Sequence, residues 1–173
     1  LLRQAIGDKA YEQAEFAKNE HGKPYIIGNP IYYNISHSGQ YVVLVTAETE
    51  VGVDIQEKKA ARMESVAKRF FSEEEWKVFS VCDDEDEKKN LFYHIWCRKE
   101  AYGKYLGTGL SNHSLGTNVL EETVVWQGGI PDKNAEGSAE LKAYKFHDLE
   151  IRENYQISIC SRKGEHLEKI VSV

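Results

Sequence analysis

The chain has 173 residues, of which 41% are hydrophobic, 29% are charged and only three are proline. This composition excludes a mainly disordered protein and suffices for one substantial core, or for two small lobes that share one. The formal net charge of -6 argues against broad nucleic-acid binding, because such binding relies on a basic face. We therefore expect an anionic ligand to be held by a local group of cations or by a metal ion.

Several features favour a cytoplasmic protein with no membrane segment. The longest apolar run, around residues 41–45, is far too short to cross a bilayer, and no stretch has the layout of a signal peptide. Cys82, Cys97 and Cys160 are odd in number and widely spaced, so we expect free thiols in a reducing compartment. Because the chain begins with Leu1 rather than methionine, we also expect that residues upstream of it exist or once existed.

The first third of the chain predicts one helix followed by three strands. Apolar residues recur every four positions between residues 1 and 16, which indicates a short helix. Aromatic and β-branched residues predict strands at 31–35, 41–46 and 51–55. The segment Ser36-His37-Ser38-Gly39 between the first two is predicted to be a polar loop.

The middle third switches to the helical period. Met63, Val66, Ala67 and Phe70 share one helical face, and Ser72-Glu73-Glu74-Glu75 has the form of a capping box that starts a second helix. An acidic run precedes a long helix predicted from about residue 88 to 106, which the glycines at 107 and 109 end.

The last third predicts four strands, at 119–126, 139–146, 155–160 and 168–173, with a turn-rich loop between the first two. Tyr155, Ile157 and Ile159 alternate with polar residues, so we expect one face of their strand to contact water.

Asp54 is the first candidate for chemistry, because it lies inside a predicted strand between Val53 and Ile55. Burying an ionised carboxylate is costly unless it is paired, and strand alternation puts Gln56 on the same side as Asp54. The residues leave two interpretations open: an aspartate that caps a nearby loop, or one that binds a metal ion.

The long helix carries the second candidate group. Phe92, Trp96, Glu100 and Lys104 lie four apart and share one face, which starts apolar and ends charged. Such a helix would be anchored in a core and would present its last turns to a cleft. A plain surface pair between Glu100 and Lys104 is the simpler alternative.

Small hydroxyls and a histidine at the end of a strand form the third group. Ser36 and His37, with Lys23 shortly before them, would supply donors to an anionic ligand. A histidine that is merely exposed in a polar loop is the alternative.

The order and spacing of these groups resemble the phosphopantetheinyl transferases, specifically the larger class named for the enzyme that activates surfactin synthetase. That family's pattern runs Gly-Lys-Pro, Asn-x-Ser-His-Ser, Gly-x-Asp-x-Glu and Trp-x-x-Lys-Glu-Ala-x-x-Lys. The chain has the corresponding residues in the same order at 22–24, 34–38, 52–56 and 96–104. It departs from the pattern at Gln56, where many relatives have a third carboxylate.

The resemblance implies an α+β fold of two similar lobes, a pseudo-dimer in which each lobe is a small antiparallel sheet packed with helices. The active site would lie in the seam. On this basis we expect residues 1–51 to form an N-terminally incomplete first lobe and residues 52–173 to form the second. A two-lobed chain can complete its site alone, so we expect a monomer.

The resemblance also implies an activity: transfer of the 4′-phosphopantetheine arm from coenzyme A to a serine of an apo acyl or peptidyl carrier protein, with Mg²⁺, releasing 3′,5′-ADP. By analogy Asp54 and Glu100 would bind the metal and, with Lys104, carry the catalysis. The phosphates of coenzyme A would be bound by Lys23, Ser36, His37 and Lys104.

The sequence also suggests a surface for the carrier protein and leaves two alternative functions open. Lys68 and Arg69, beside Phe70 and Phe71, are a hypothesis for the surface that meets an acidic carrier; the alternative is that Phe70 is core and the cations are solvated. The rivals are a non-catalytic coenzyme A-binding homologue, favoured by Gln56 and the short N-terminus, and a magnesium-dependent phosphohydrolase.

Overall fold

A computed structural model describes residues 1–28, 31–59, 62–126, 142–149, 152, 154–165 and 167–172. These residues form an α+β fold, which confirms the predicted class. The elements are α1 Leu2–Ile6, α2 Asp8–Gln13, β1 Phe16–Lys18, β2 Pro24–Ile26, β3 Tyr32–Ser38, β4 Tyr41–Ala47, β5 Val51–Glu57, α3 Met63–Phe70, α4 Glu73–Ser80, α5 Glu85–Leu106, α6 Asn112–Gly116, β6 Thr123–Trp126, β7 Lys142–Leu149, β8 Tyr155–Arg162 and β9 Leu167–Ser172.

The strands of the described residues form three small antiparallel sheets. β1 pairs with β2, a second sheet has the order β3-β4-β9, and a third has the order β5-β8-β7-β6. β9 comes from the far end of the chain and pairs with β4. The division at residue 51 therefore stays a prediction, and any first lobe drawn around β3 and β4 has to include β9.

The N-terminal helix is interrupted. α1 and α2 are separated by Gly7, whose φ of 87° lies in the left-handed region and breaks the helical hydrogen-bond pattern. The β1–β2 hairpin after them was not predicted, because its strands have only three residues each.

The predicted polar loop at Ser36-His37-Ser38-Gly39 is wrong. β3 continues to Ser38, and the chain reverses at Gly39 and Gln40, with Gly39 at a φ of 56°. The hydroxyl groups of Ser36 and Ser38 find hydrogen-bond partners on β5. Polar side chains can therefore point inward from a strand here, because β5 satisfies their hydrogen bonds.

The predicted wet face of β8 is also wrong, because β8 is buried on both faces from Tyr155 to Ser161. Its apolar residues Ile157 and Ile159 lie in the core between the sheets. The other face is covered by α5, whose Cys97 thiol contacts the carbonyl of Gln156. Ser158 is buried there and donates a hydrogen bond to Asp148.

The predicted helices in the middle of the chain are confirmed. Ser72 and Glu75 form the reciprocal capping box that starts α4. α5 begins after Asp84, whose side chain accepts two backbone N–H groups, and ends at Gly107 in the left-handed conformation. The short helix α6 was not predicted. None of the helices in the described part of the chain combines the length and apolar character that a bilayer crossing requires.

The predicted strands of the last third are present with shifted bounds. β6 begins at Thr123 rather than at residue 119, and β7 continues to Leu149. Residues 139–141, residue 173 and the turn-rich loop predicted between β6 and β7 lie outside the described residues.

A shared core joins the two larger sheets. It contains side chains from β4, β5 and β8, namely Val43, Val45, Ala47, Val51, Val53, Ile55, Tyr155, Ile157 and Ile159. α5 packs on the other face of β5 at very short range, because a Cβ atom added to Gly52 would lie 2.1 Å from the carbonyl oxygen of Ala101. Only glycine permits this approach, which brings Asp54 next to the last turns of α5.

Candidate active site

Asp54 is the centre of a polar cluster that joins β3, β5 and α5. Its side chain is buried, and its Oδ1 accepts hydrogen bonds from Lys104 Nζ at 2.7 Å and Ser36 Oγ at 2.9 Å. Its Oδ2 accepts one from the Gln56 side-chain amide at 2.8 Å. The predicted partner for a buried carboxylate is therefore present, and it is a lysine from the last turn of the long helix.

Lys104 lies at the open side of this cluster. Its side chain is 28% exposed, whereas that of Asp54 is 4% exposed. Besides its contact with Asp54, Lys104 Nζ donates to Ser36 Oγ at 2.9 Å. The ammonium group thus contacts the cluster on one side and solvent on the other, as a ligand for an incoming anion should.

Glu100 lies one helical turn before Lys104 and is half-buried. Burial, and then the negative charge of Asp54, raise the pKa of Glu100 to about 6, while Lys104 opposes the rise. The two carboxylates are therefore close enough to repel each other. With one ammonium and two carboxylates, the cluster has one net negative charge and would bind a cation favourably.

These donors fit a hard divalent cation such as Mg²⁺, which prefers carboxylate and amide oxygens. Both lone pairs of Asp54 Oδ1 are engaged by Ser36 and Lys104, whereas Oδ2 accepts, among the described residues, the Gln56 amide alone. One lone pair of Oδ2 and the carboxylate of Glu100 are thus the ligands on offer. No group of three or more histidine, cysteine or acidic residues suited to a metal occurs in the ranges described above.

Lys23 contacts other partners. Its ammonium pairs with Glu50 and donates to the carbonyl oxygens of Val51 at 3.2 Å and Tyr105 at 3.3 Å. Lys23 therefore ties the N-terminal hairpin to the start of β5 and the end of α5. Its predicted role in coenzyme A binding is not tested by these contacts and stays a prediction.

His37 is separated from Ser36 by strand alternation. Ser36 is buried and faces β5, whereas His37 is exposed on the opposite side of β3. The predicted grouping of these two side chains in one anion site would need a ligand that reaches around the strand.

A buried ion pair next to the cluster was not predicted. Lys99 and Glu75 are both fully buried, with Nζ and Oε2 2.9 Å apart. Lys99 also donates to the carbonyl oxygens of Leu115 and Thr117, each at 2.9 Å. The available signal was the position of Lys99 among the apolar residues of α5, since a lysine there requires a buried partner.

Arg98 forms a further connection that was not predicted. Its guanidinium binds Asp148 on β7 and the carbonyl oxygens of Val119, Leu120 and Glu121. α5 is thus fixed by Arg98 and Lys99 just before the turn that carries Glu100.

A cavity among the described residues lies away from this cluster. It has a volume of about 750 Å³ and is lined by Lys58, Asp86, Lys89, Asn90, Leu91, His94, Asn154 and Gln156, none of which belongs to the predicted site. We place the candidate site at the Asp54 cluster instead, because cavity size carries no chemistry whereas the cluster combines opposite charges with residual binding capacity.

Comparison with known proteins identifies the family of this chain. The profile of the 4′-phosphopantetheinyl transferase superfamily matches residues 50–160, a range that contains Asp54, Glu100 and Lys104. The chain belongs to this superfamily.

Individual relatives extend the similarity beyond that range. The 4′-phosphopantetheinyl transferase Sfp of Bacillus subtilis is 32% identical over 176 residues, covering 100% of this chain and 73% of Sfp. The 4′-phosphopantetheinyl transferase psf-1 of Bacillus pumilus is 30% identical over 161 residues, covering 91% of this chain and 66% of psf-1. A mouse relative, L-aminoadipate-semialdehyde dehydrogenase-phosphopantetheinyl transferase, is 24% identical over 194 residues, covering 95% of this chain and 60% of its own length.

Proposed function

We propose that this protein transfers the 4′-phosphopantetheine arm of coenzyme A to a serine of an apo acyl or peptidyl carrier protein and releases 3′,5′-ADP. The observation that carries the proposal is the cluster of Asp54, Lys104 and Ser36 beside Glu100, in a chain of the 4′-phosphopantetheinyl transferase superfamily. That family uses coenzyme A as its substrate.

The reaction requires a base and charge neutralisation. The serine oxygen of the carrier attacks the phosphorus that bears the pantetheine, the bond from this phosphorus to the bridging oxygen breaks, and that oxygen leaves with 3′,5′-ADP. The serine proton would pass to Glu100, directly or through a water. A carboxylate with a pKa near 6 is mainly ionised at neutral pH yet basic enough to accept a proton.

Asp54 and Glu100 would hold Mg²⁺, and Gln56 would contribute its amide oxygen, directly or through water, once its amide group rotates away from Asp54. The bound ion would supply neutralisation of the phosphate oxygens. Because Gln56 is neutral, we expect the affinity for the metal to be lower than with a carboxylate at this position.

Lys104 would offset the negative charge that develops on the leaving phosphate. Its position supports this role, since a partly exposed ammonium already held by Asp54 and Ser36 needs little rearrangement to meet an anion. We propose that the exposed His37 binds a phosphate of coenzyme A, and that Lys23 does so only if its pairing with Glu50 breaks.

The proposed carrier surface consists of Lys68 and Arg69 on α3. Both cations are exposed, and the guanidinium of Arg69 lies 5.0 Å from the centroid of the Phe70 ring. Phe70 is half-buried and packs edge-to-face on Trp96, while Phe71 belongs to an aromatic core. The partner would therefore meet a basic surface more than an apolar one. We also propose that the protein acts as a monomer in the cytoplasm.

Incubation with coenzyme A, Mg²⁺ and an apo carrier protein tests the function. We expect the carrier to gain the mass of one phosphopantetheine, detected by mass spectrometry, with stoichiometric 3′,5′-ADP. An unchanged carrier would contradict the proposal and favour a non-catalytic coenzyme A-binding protein. Release of 3′,5′-ADP without any carrier would instead indicate a phosphohydrolase.

A further inference from the structure

The backbone N–H groups on the outer edge of β5 donate hydrogen bonds to side chains rather than to the backbone of a neighbouring strand. One edge of β5 pairs with β8 through the backbone. On the other edge, three alternate N–H groups donate to side chains of β3: Val53 to Asn34 Oδ1 at 2.8 Å, Ile55 to Ser36 Oγ at 3.3 Å, and Glu57 to Ser38 Oγ at 2.9 Å.

The spacing of these bonds explains the sequence pattern. Alternate N–H groups of a strand point to the same edge, and alternate side chains of a strand point to the same side. An acceptor at every second residue of β3 thus meets a donor at every second residue of β5. β3 and β5 are not paired in any described sheet, so these side chains take the place of a neighbouring strand's carbonyl groups.

We propose that Asn34, Ser36 and Ser38 form a side-chain clamp that fixes β5, and that Asn34 and Ser38 are positioning residues for the reaction. This inference rests on the proposed function. Asp54 lies between two of the clamped N–H groups, those of Val53 and Ile55. A shift of β5 would move its carboxylate away from Lys104, and misplacement by about 1 Å can slow a reaction about 100-fold.

Ser36 connects the clamp to the site. A hydroxyl has one donor and two acceptor lone pairs. In this structure Ser36 donates to Asp54 Oδ1 and accepts from Ile55 N and Lys104 Nζ, which uses all three. Ser36 therefore aligns Asp54 and Lys104 and has no capacity left for a phosphate, in contrast to the ligand role that the family resemblance implies.

The β3–β4 turn extends the same contact. A Cβ atom added to Gly39 would lie 2.3 Å from the Tyr155 hydroxyl and 2.5 Å from Glu57 Oε2. The turn thus lies directly against the end of β5, next to the bond from Glu57 to Ser38. The β3–β4 turn therefore packs against the Ser38 end of the clamp.

Amide hydrogen exchange, followed residue by residue by NMR, tests the clamp itself. In the wild-type protein we expect the N–H groups of Val53, Ile55 and Glu57 to exchange as slowly as those bonded to β8. Asn34→Ala should speed exchange at Val53 by tenfold or more, with a smaller effect at Glu57. Fast exchange at all three positions in the wild type would overturn the clamp.

A matched control uses another asparagine with the same kind of bond. Asn118 Oδ1 accepts from Leu120 N at 3.0 Å. Asn118→Ala should speed exchange at Leu120 and leave exchange at Val53 and the transfer rate unchanged. An equal effect of both substitutions on Val53 would mean general destabilisation and would contradict the proposal.

Transfer kinetics test the positioning role. We expect Asn34→Ala to lower kcat at least about tenfold with the KM for coenzyme A changed less than about twofold, because the substrate contacts remain. Since Asn34 is buried and its variant is at risk of misfolding, Ser38→Ala provides a milder test on a half-buried residue, and Ser38→Thr, which keeps the hydroxyl, should restore kcat.

The outcomes separate this inference from the proposed function. A raised KM with unchanged kcat would make these residues substrate ligands and overturn the positioning role. Unchanged kcat in both alanine variants, with the amides protected, would also overturn it, while the transferase function would stand. A wild-type protein that transfers nothing would refute the function and with it the positioning role, whereas the exchange measurement would still decide whether the clamp exists.

Discussion

Two of the lysine–carboxylate pairs on helix α5 have their lysines five residues apart, and the differences between these two pairs distinguish a structural pair from a functional one. Lys99 and Glu75 are both 0% exposed at 2.9 Å. Lys104 and Asp54 are 28% and 4% exposed at 2.7 Å. The distances are nearly equal, so pairing alone does not identify a site.

Residual binding capacity does distinguish the pairs. An ammonium has three N–H donors, and those of Lys99 go to Glu75 and two carbonyl oxygens. Glu75 in turn accepts from the N–H groups of Ser72 and Val119. Lys104 makes two contacts, to Asp54 and Ser36, among the part of the chain that the structure describes. We call the pair of Lys99 and Glu75 the closed pair, because all three donors of its lysine are used. We call the pair of Lys104 and Asp54 the open pair, because its lysine has a donor left for a ligand.

The largest expected effect comes from breaking the closed pair. Glu75→Ala leaves Lys99 buried without its counter-ion and should lower the free energy of unfolding by about 3–5 kcal/mol. Chemical denaturation of wild type and variant measures the change. A loss below about 1 kcal/mol would contradict the assignment of this pair to stability.

Breaking the open pair should instead affect the reaction. Lys104→Met should lower kcat about 100- to 1000-fold, because the charge on the leaving phosphate is no longer offset. The free energy of unfolding should fall by about 1–2 kcal/mol, less than for Glu75→Ala, because the buried Asp54 loses its counter-ion but keeps its hydrogen bonds from Ser36 and Gln56 next to solvent. Kinetics and denaturation on one preparation give both values, and the reverse pattern would exchange the roles of the two lysines.

Restoring a third carboxylate should sharpen the open site. Gln56→Glu adds a charged oxygen ligand beside Asp54, so we expect the Mg²⁺ concentration for half-maximal transfer to fall about tenfold. A titration of the transfer rate with Mg²⁺ measures it. An unchanged midpoint would show that residue 56 does not contact the ion.

The smallest effect concerns the pH dependence of stability without metal. The raised pKa of Glu100 favours its protonated form in the folded protein, so its contribution to stability is present below pH 4.5 and lost as the pH rises through about 6. Glu100→Gln cannot titrate. The stability of wild type relative to this variant should therefore fall by about 1 kcal/mol from pH 4 to pH 7. Chemical denaturation of both proteins in the presence of a chelator, at several pH values, measures this difference. A difference in unfolding free energy that does not change with pH would contradict the prediction.

Sequence reasoning predicted the features that depend on local pattern. The row from Phe92 to Lys104 was correctly expected to start in the core, and it ends at the partly exposed Lys104, because helical spacing alone decides which residues share a face. The capping box at Ser72 depends on residues three apart and was equally readable.

The failures all involve partners distant in the chain. Ser36 and Ser38 look like a loop until β5 provides N–H groups for their hydroxyls. Glu75 looks like a plain capping residue until Lys99, on another helix, reaches it. The alternation in β8 was real, but α5 covers the face that was expected to contact water.

The most direct test of the open pair as an active site is the transfer rate of Glu100→Gln. This substitution keeps the shape of the side chain but removes the proposed proton acceptor and metal ligand. With coenzyme A, Mg²⁺ and an apo carrier, we expect a rate at least about 1000-fold below wild type, with an unchanged circular dichroism spectrum. A near wild-type rate would remove Glu100 from the mechanism and contradict the account.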